Sequence, residues 1–244
     1  MLEKAVIELN KYTDNFDKND KDISLKYNHS LAVMDLMKEL AFRLNLDKED
    51  VELAGLIGLL HDIGRFDQLK DFNSFSDKNV DHAEIGADYL FKDGHIRDFI
   101  EDNKYDDIIE KAIRIHNKLD LDSGLDEREL LFSKMIRDMD KVDIFKQRAI
   151  HYNGSFNASE VNEEALKQFK EEESIDNSIK KTKSDSVLLT LSFIFDINFN
   201  ESFDILVETD NFDLYLSTVE VDENSEKLWK KLKELCFDKI NRGV

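Results

Sequence analysis

Four histidines and two aspartates in this chain are spaced so that each falls on the inward face of an apolar stripe. His29 follows Leu25 and precedes Ala32, Val33, Leu36 and Leu40 at helical spacing, so it points to a core. Ala54, Ile57 and Gly58 lead to His61 in the same way, with Asp62 adjacent. His82 heads a stripe with Ile85, Gly86 and Tyr89, and His116 closes one made of Ile109, Ala112 and Ile113. Asp140 sits between Ile136 and Ile144 on a stripe that begins at Phe132. A lone histidine on such a face is more often a hydrogen-bonded core residue, but a buried carboxylate is strongly disfavoured unless paired or bound to metal. Six such groups carried inward by five separate helices call for a common partner, a metal ion. Imidazole and carboxylate together hold Mn, Fe, Co, Ni or Zn, which lower the pKa of a bound water and supply hydroxide near neutral pH. Two such ions can hold both the attacking water and the phosphoryl oxygens of an ester.

The elements that must position these groups are helices. Proline is absent and glycine scarce, with eight in 244 residues, so the usual helix breakers are missing. Apolar residues recur at three- and four-residue spacing, which predicts helices over 2–16, 24–44, 48–62, 82–91, 104–117, 127–150, 160–172, 185–197, 201–208 and 223–240. Asp47 is placed to cap the helix that ends at His61-Asp62, and Gly64 to stop it in a left-handed conformation. Residues 65–81 lack a helical period and read as a long loop beside that helix end. From Asn153 to Lys183 the chain is polar and reads either as a linker or, preferably, as a solvated helix and turn on the same core. The expected organisation is a domain over 1–152 with an N-terminal helix and a helical extension over 153–244, packed on the same core.

The segment Gly58-Leu59-Leu60-His61-Asp62-Ile63-Gly64-Arg65, with His29 before it and Asp140 after it, resembles the HD superfamily of metal-dependent phosphohydrolases, over roughly residues 24–150. The resemblance implies an all-α HD-domain helical bundle, here with additional C-terminal helices. It implies His29, His61, Asp62 and Asp140 as ligands of a first ion; Asp138 and Asp143 are rivals for the last place, and Asp140 is preferred because it lies on the Phe132 stripe. His82 in Asp81-His82-Ala83-Glu84-Ile85-Gly86-Ala87 and His116 in Arg114-Ile115-His116-Asn117 resemble the extra ligands of two-metal members, in which Asp62 would bridge the ions. One or two divalent ions are implied, two being preferred. Certain two-metal phosphodiesterases of the superfamily have a double histidine where this chain has His116-Asn117, and a Gly-Tyr-Pro signature it lacks. The single histidines look closer to its diadenosine-tetraphosphate hydrolases and its diiron oxygenases. Arg65 stands where several relatives place a phosphate-contacting Lys, and its planar fork suits that contact. Pairing with Asp67 is the alternative for Arg65, and Lys141, next to Asp140, is a second candidate for the phosphate.

Charge narrows the substrate. The formal net charge of −20 repels phosphate backbones, so a polymeric nucleic acid is not an expected partner. A small anionic substrate needs locally concentrated positive charge, which a bound ion supplies. Charged residues in Met1-Leu2-Glu3-Lys4-Ala5 stand where a signal peptide is apolar, and no run approaches a membrane span, so a cytoplasmic location without membrane attachment is expected. Cys236, the single cysteine, lies among Leu235 and Phe237 and reads as a core residue. His95 and His151 lack an apolar stripe and read as surface residues. The apolar stripes of Leu188, Leu191, Ile194 and Phe195, and of Trp229, Leu232, Cys236 and Ile240, are core, and either roof the site or form a homodimer surface.

The reading that follows is a metal-dependent phosphohydrolase cleaving a phosphomonoester or phosphoanhydride in a nucleotide-like small molecule, with Asp62, Arg65 and Lys141 as the residues closest to the chemistry. A diiron oxygenase using the same ligands, or a nucleotide-sensing module without turnover, are the alternatives.

Overall fold

The computed structural model describes residues 1–77, 80–121, 123–151 and 154–244. It is all-α, as expected, apart from one pair of two-residue strands among the described residues. The chain divides into two compact units, Met1–Asp140 and Lys141–Val244. The 152/153 boundary expected from sequence, and Asn153 at the start of the polar stretch, lie outside the described residues.

The first unit contains α1 (Leu2–Thr13), α2 (Lys21–Arg43), α3 (Lys48–Leu60), α4 (Gly64–Phe72), α5 (His82–Ala87), α6 (Ile96–Phe99), α7 (Asp106–Ile115) and most of α8 (Glu127–His151). Side-chain caps set three of the starts: Asp20 accepts from the Asp22 amide, Asp47 from Asp50 and Asp81 from Ala83. The buried faces of α2, α3, α7 and α8 form one core that includes Val33, Met37, Leu56, Ile57, Ile109, Ile113, Phe132 and Ile136. Helices α2 and α3 run in close contact at Gly58, where a Cβ would lie 2.7 Å from the Val33 carbonyl oxygen.

Two expectations fail around the His61-Asp62 turn. Residues 65–81 are not one long loop: α4 occupies Gly64–Phe72, and only the chain after it is irregular. Phe66 and Leu69 are buried and Tyr12 donates to Asp67 at 2.9 Å, so tertiary contacts hold a helix that its short apolar pattern does not announce. Gly64 is not a left-handed stop either, since it opens α4 and its φ is not positive; the left-handed residue is Asn73, at the other end (φ 48°). Gly64 is needed for space, because a Cβ there would lie 2.2 Å from the His82 carbonyl oxygen and 2.5 Å from the Gly86 nitrogen. Sequence periodicity also left out α6, and it carried the first helix three residues too far.

The second unit takes the end of α8, α9 (Glu163–Lys170), α10 (Lys183–Ser192), α11 (Asn200–Glu208), α12 (Asn211–Thr218) and α13 (Glu226–Arg242). Strands β1 (Ser155–Phe156) and β2 (Glu220–Val221) pair in parallel. The polar stretch is a helix rather than a linker: α9 buries Ala165 and Phe169, and the Phe169 ring meets Phe195 at 5.0 Å. A reciprocal cap starts α10, in which Thr182 accepts from the Asp185 amide while Asp185 accepts from that of Thr182. Trp229, Leu232 and Cys236 are core, and burial pushes the Cys236 thiol up to about 12. Among the described residues no helix is long and apolar enough to cross a membrane.

Candidate metal centre

The first unit brings together all six groups expected as metal ligands, from five helices and one turn. His29 comes from α2, His61 ends α3 and Asp62 follows it in the turn to α4; His82 opens α5, His116 ends α7 and Asp140 is on α8. His29 and His61 are inaccessible to solvent, and His82, His116 and Asp62 nearly so.

They form two groups that share Asp62. His29 Nε2 lies 3.2 Å from His61 Nε2, 3.1 Å from Asp140 Oδ1 and 3.5 Å from Asp62 Oδ2. His82 Nε2 lies 3.0 Å from His116 Nε2 and 3.0 Å from Asp62 Oδ1, the other carboxylate oxygen. His116 Nε2 is 3.6 Å from that same oxygen. Ligand atoms about 2.1 Å from a common ion and at right angles to one another are about 3.0 Å apart, so each group has the dimensions of part of a coordination shell.

The outer ring nitrogens fix which atoms are available. Nδ1 of His61 donates to the Gly58 carbonyl at 2.8 Å, Nδ1 of His116 to the Ile113 carbonyl at 2.7 Å, and Nδ1 of His82 to Asp77 Oδ1 at 2.7 Å. A carbonyl oxygen can only accept, so the proton of each neutral ring is on Nδ1 and the lone pair on Nε2. His82 and His116 therefore direct two lone pairs at each other across 3.0 Å, which a cation between them relieves. The donor set of imidazole nitrogens and carboxylates fits a divalent transition ion.

The carboxylates are ionised despite burial. Burial raises the Asp62 carboxyl, but the Lys26 ammonium, ahead of the neighbouring histidines, holds it well below the usual range. Burial likewise raises that of Asp140, and His29 and His61 outweigh it. Asp77, raised by burial, is held low by His82 and Arg65.

The remaining candidates are placed differently. Arg65 forms a fork with Asp77 (2.9 and 3.2 Å) rather than a pair with Asp67, and also donates to Gln68 Oε1 and the Phe75 carbonyl. Its buried Nε lies 3.6 Å from Asp62 Oδ1. The Lys141 ammonium, in the second unit, pairs with Asp196 at 2.6 Å. Of the rivals to Asp140, Asp143 accepts from Gln147 at 2.8 Å and Asp138 is buried. His95 stacks on Tyr89 and bonds to Asp98, and His151 is exposed at the end of α8. Two residues that sequence reasoning passed over stand in the site. Lys26 donates to Asp62 Oδ2 at 2.7 Å, and its place three residues before His29, on the same helical face, could have signalled it. Asp77 is in irregular chain, where no periodicity marks it.

Residues 27–144 match the family model of the HD domain. No curated protein and no solved structure matches the chain. The matched segment contains His29, His61, Asp62, His82, His116 and Asp140, and residues 27–144 are thereby an HD domain, a superfamily whose members are generally metal-dependent phosphohydrolases.

Proposed function

We propose that the chain hydrolyses a phosphomonoester or phosphoanhydride in a nucleotide-like small molecule, using two divalent transition ions. The observation that carries this reading is Asp62, which turns Oδ2 toward His29 and His61 and Oδ1 toward His82 and His116. One carboxylate facing two nitrogen pairs is suited to bridging two ions. His29, His61 and Asp140 would complete the first ion's protein ligands, and His82 and His116 the second's. Bound ions supply the site with hydroxide near neutral pH and with positive charge for the phosphoryl oxygens.

The chain's own groups give the site direction. The histidines are sealed in the core, whereas the side chains of Asp140, Lys26 and Arg65 are 15, 15 and 13% exposed, so substrate meets the centre from their side. Asp77 holds the His82 ring through Nδ1 and Arg65 holds Asp77, a chain of support that fixes the inner nitrogen of His82.

The test is phosphate release from a generic phosphomonoester and a panel of nucleotides, using chelator-treated protein reloaded with Mn, Co, Fe or Ni. Release that depends on metal supports the reading. Bound metal without release from any member of the panel contradicts it, and substrate-dependent oxygen consumption by the iron-loaded chain would place it with the oxygenases instead.

A further inference from the structure

We propose that Lys26 is the residue that grips the substrate phosphate, and that its ammonium competes with an ion for Asp62. The proposal rests on the phosphohydrolase reading for its substrate and assigns within it a role that the family resemblance suggested for Arg65, with Lys141 as second candidate.

The position of the ammonium is the first reason. It lies 2.7 Å from Asp62 Oδ2, the oxygen that is also 3.5 Å from His29 Nε2 and 3.7 Å from His61 Nε2. Lys26 thus leans on the oxygen that an ion between those histidines would take. The second reason is spare capacity. An ammonium has three donors, and among the described residues Asp62 is its one hydrogen-bond acceptor. The face of the Phe75 ring, 5.5 Å away, is the other side of its surroundings. Arg65, in contrast, has its fork occupied by Asp77, Gln68 and the Phe75 carbonyl, and serves to hold the chain after α4. Lys141 is engaged by Asp196.

Charge sets the ammonium and an ion against each other. A divalent ion on Asp62 Oδ2 and an ammonium on the same oxygen repel, so each weakens the other's hold, and the coupling is reciprocal. An ion on Asp62 would release the ammonium, at the solvent-facing edge of the site, for a phosphoryl oxygen of the substrate. Loss of Lys26 must then move two affinities in opposite directions, which a lysine with a purely structural role would not do.

The experiment compares the wild-type chain with Lys26→Met and Lys26→Arg. Mn affinity is measured by competition with a fluorescent chelator, and inorganic phosphate affinity by calorimetry on the Mn-loaded protein. Lys26→Met should bind Mn about fivefold or more tightly than wild type, the lower end of typical coupling between sites. It should bind phosphate about tenfold more weakly, the scale of one charged hydrogen bond, and Lys26→Arg should recover phosphate binding. Unchanged or weakened Mn affinity, or unchanged phosphate affinity, would overturn the proposal. If Lys26→Met does not fold, Lys26→Gln answers the same two measurements. Neither needs turnover: opposite shifts in a chain that hydrolyses no ester would keep the anion-gripping role of Lys26 and refute the hydrolase reading alone.

Discussion

His82 and His116 face each other through Nε2 atoms 3.0 Å apart while each ring donates its other nitrogen's proton elsewhere, to Asp77 and to the Ile113 carbonyl. Two lone pairs so placed are tolerated when a cation lies between them. His82→Ala or His116→Ala should therefore remove about one equivalent of metal per chain and most of the turnover, while leaving the ion on His29, His61 and Asp140 in place. Full metal content in either variant would show that these histidines serve the substrate and not an ion.

Asp77 supports His82 without touching the other ligands. A carboxylate behind a coordinating imidazole fixes its orientation and raises its basicity, and loss of such a partner costs about 10–100-fold in metal affinity. Asp77→Ala should show that loss in a Mn titration. Asp77→Asn, which still accepts from Nδ1, should lose less.

Gly64 and Gly86 let α4 and α5 meet backbone to backbone. Gly64→Ala would place a methyl group 2.2 Å from the His82 carbonyl oxygen, which belongs to the backbone and cannot step aside. The variant should be destabilised by about 1–3 kcal/mol or more in urea unfolding, and its metal content should fall because His82 is displaced.

Stability should depend on pH through Asp185, outside the candidate centre. Burial pushes its carboxyl up, but the amides of Asn162, Lys181 and Thr182 outweigh burial and hold it below the ordinary value. A carboxyl lowered on folding contributes stability above its unfolded value of about 4, and that contribution fades as pH falls through the lower folded value. Asp185→Asn should cost about 1–3 kcal/mol at pH near 7, because an amide nitrogen then faces backbone donors. The gap from wild type in urea midpoint should narrow below pH of about 4; a constant gap would contradict this origin.

The sequence announced the helices that carry long apolar stripes, and with them the inward direction of His29, His61, His82, His116 and Asp140. It was silent where tertiary contact decides. Helix α4 has only Phe66 and Leu69 as buried apolar side chains and depends on Tyr12 and Asp77 to hold Asp67 and Arg65. Gly64 looked like a conformational stop because glycine preference is local, whereas its reason is the α5 backbone, eighteen residues on. Asp77 comes from irregular chain without a period, and Lys26 was hidden because a lysine on a helix is ordinarily solvated. Helix α12, which was absent from the helices expected after residue 208, follows a left-handed Asp210.

The most direct measurement is the metal content of the wild-type chain after purification and exposure to Mn, Fe or Co, compared with Asp62→Ala. About two ions per chain are expected for the wild type, and Asp62→Ala should empty the site more completely than His82→Ala, because its carboxylate faces both nitrogen pairs. A single equivalent in the wild type, with no gain on adding metal, would contradict a carboxylate shared between two ions.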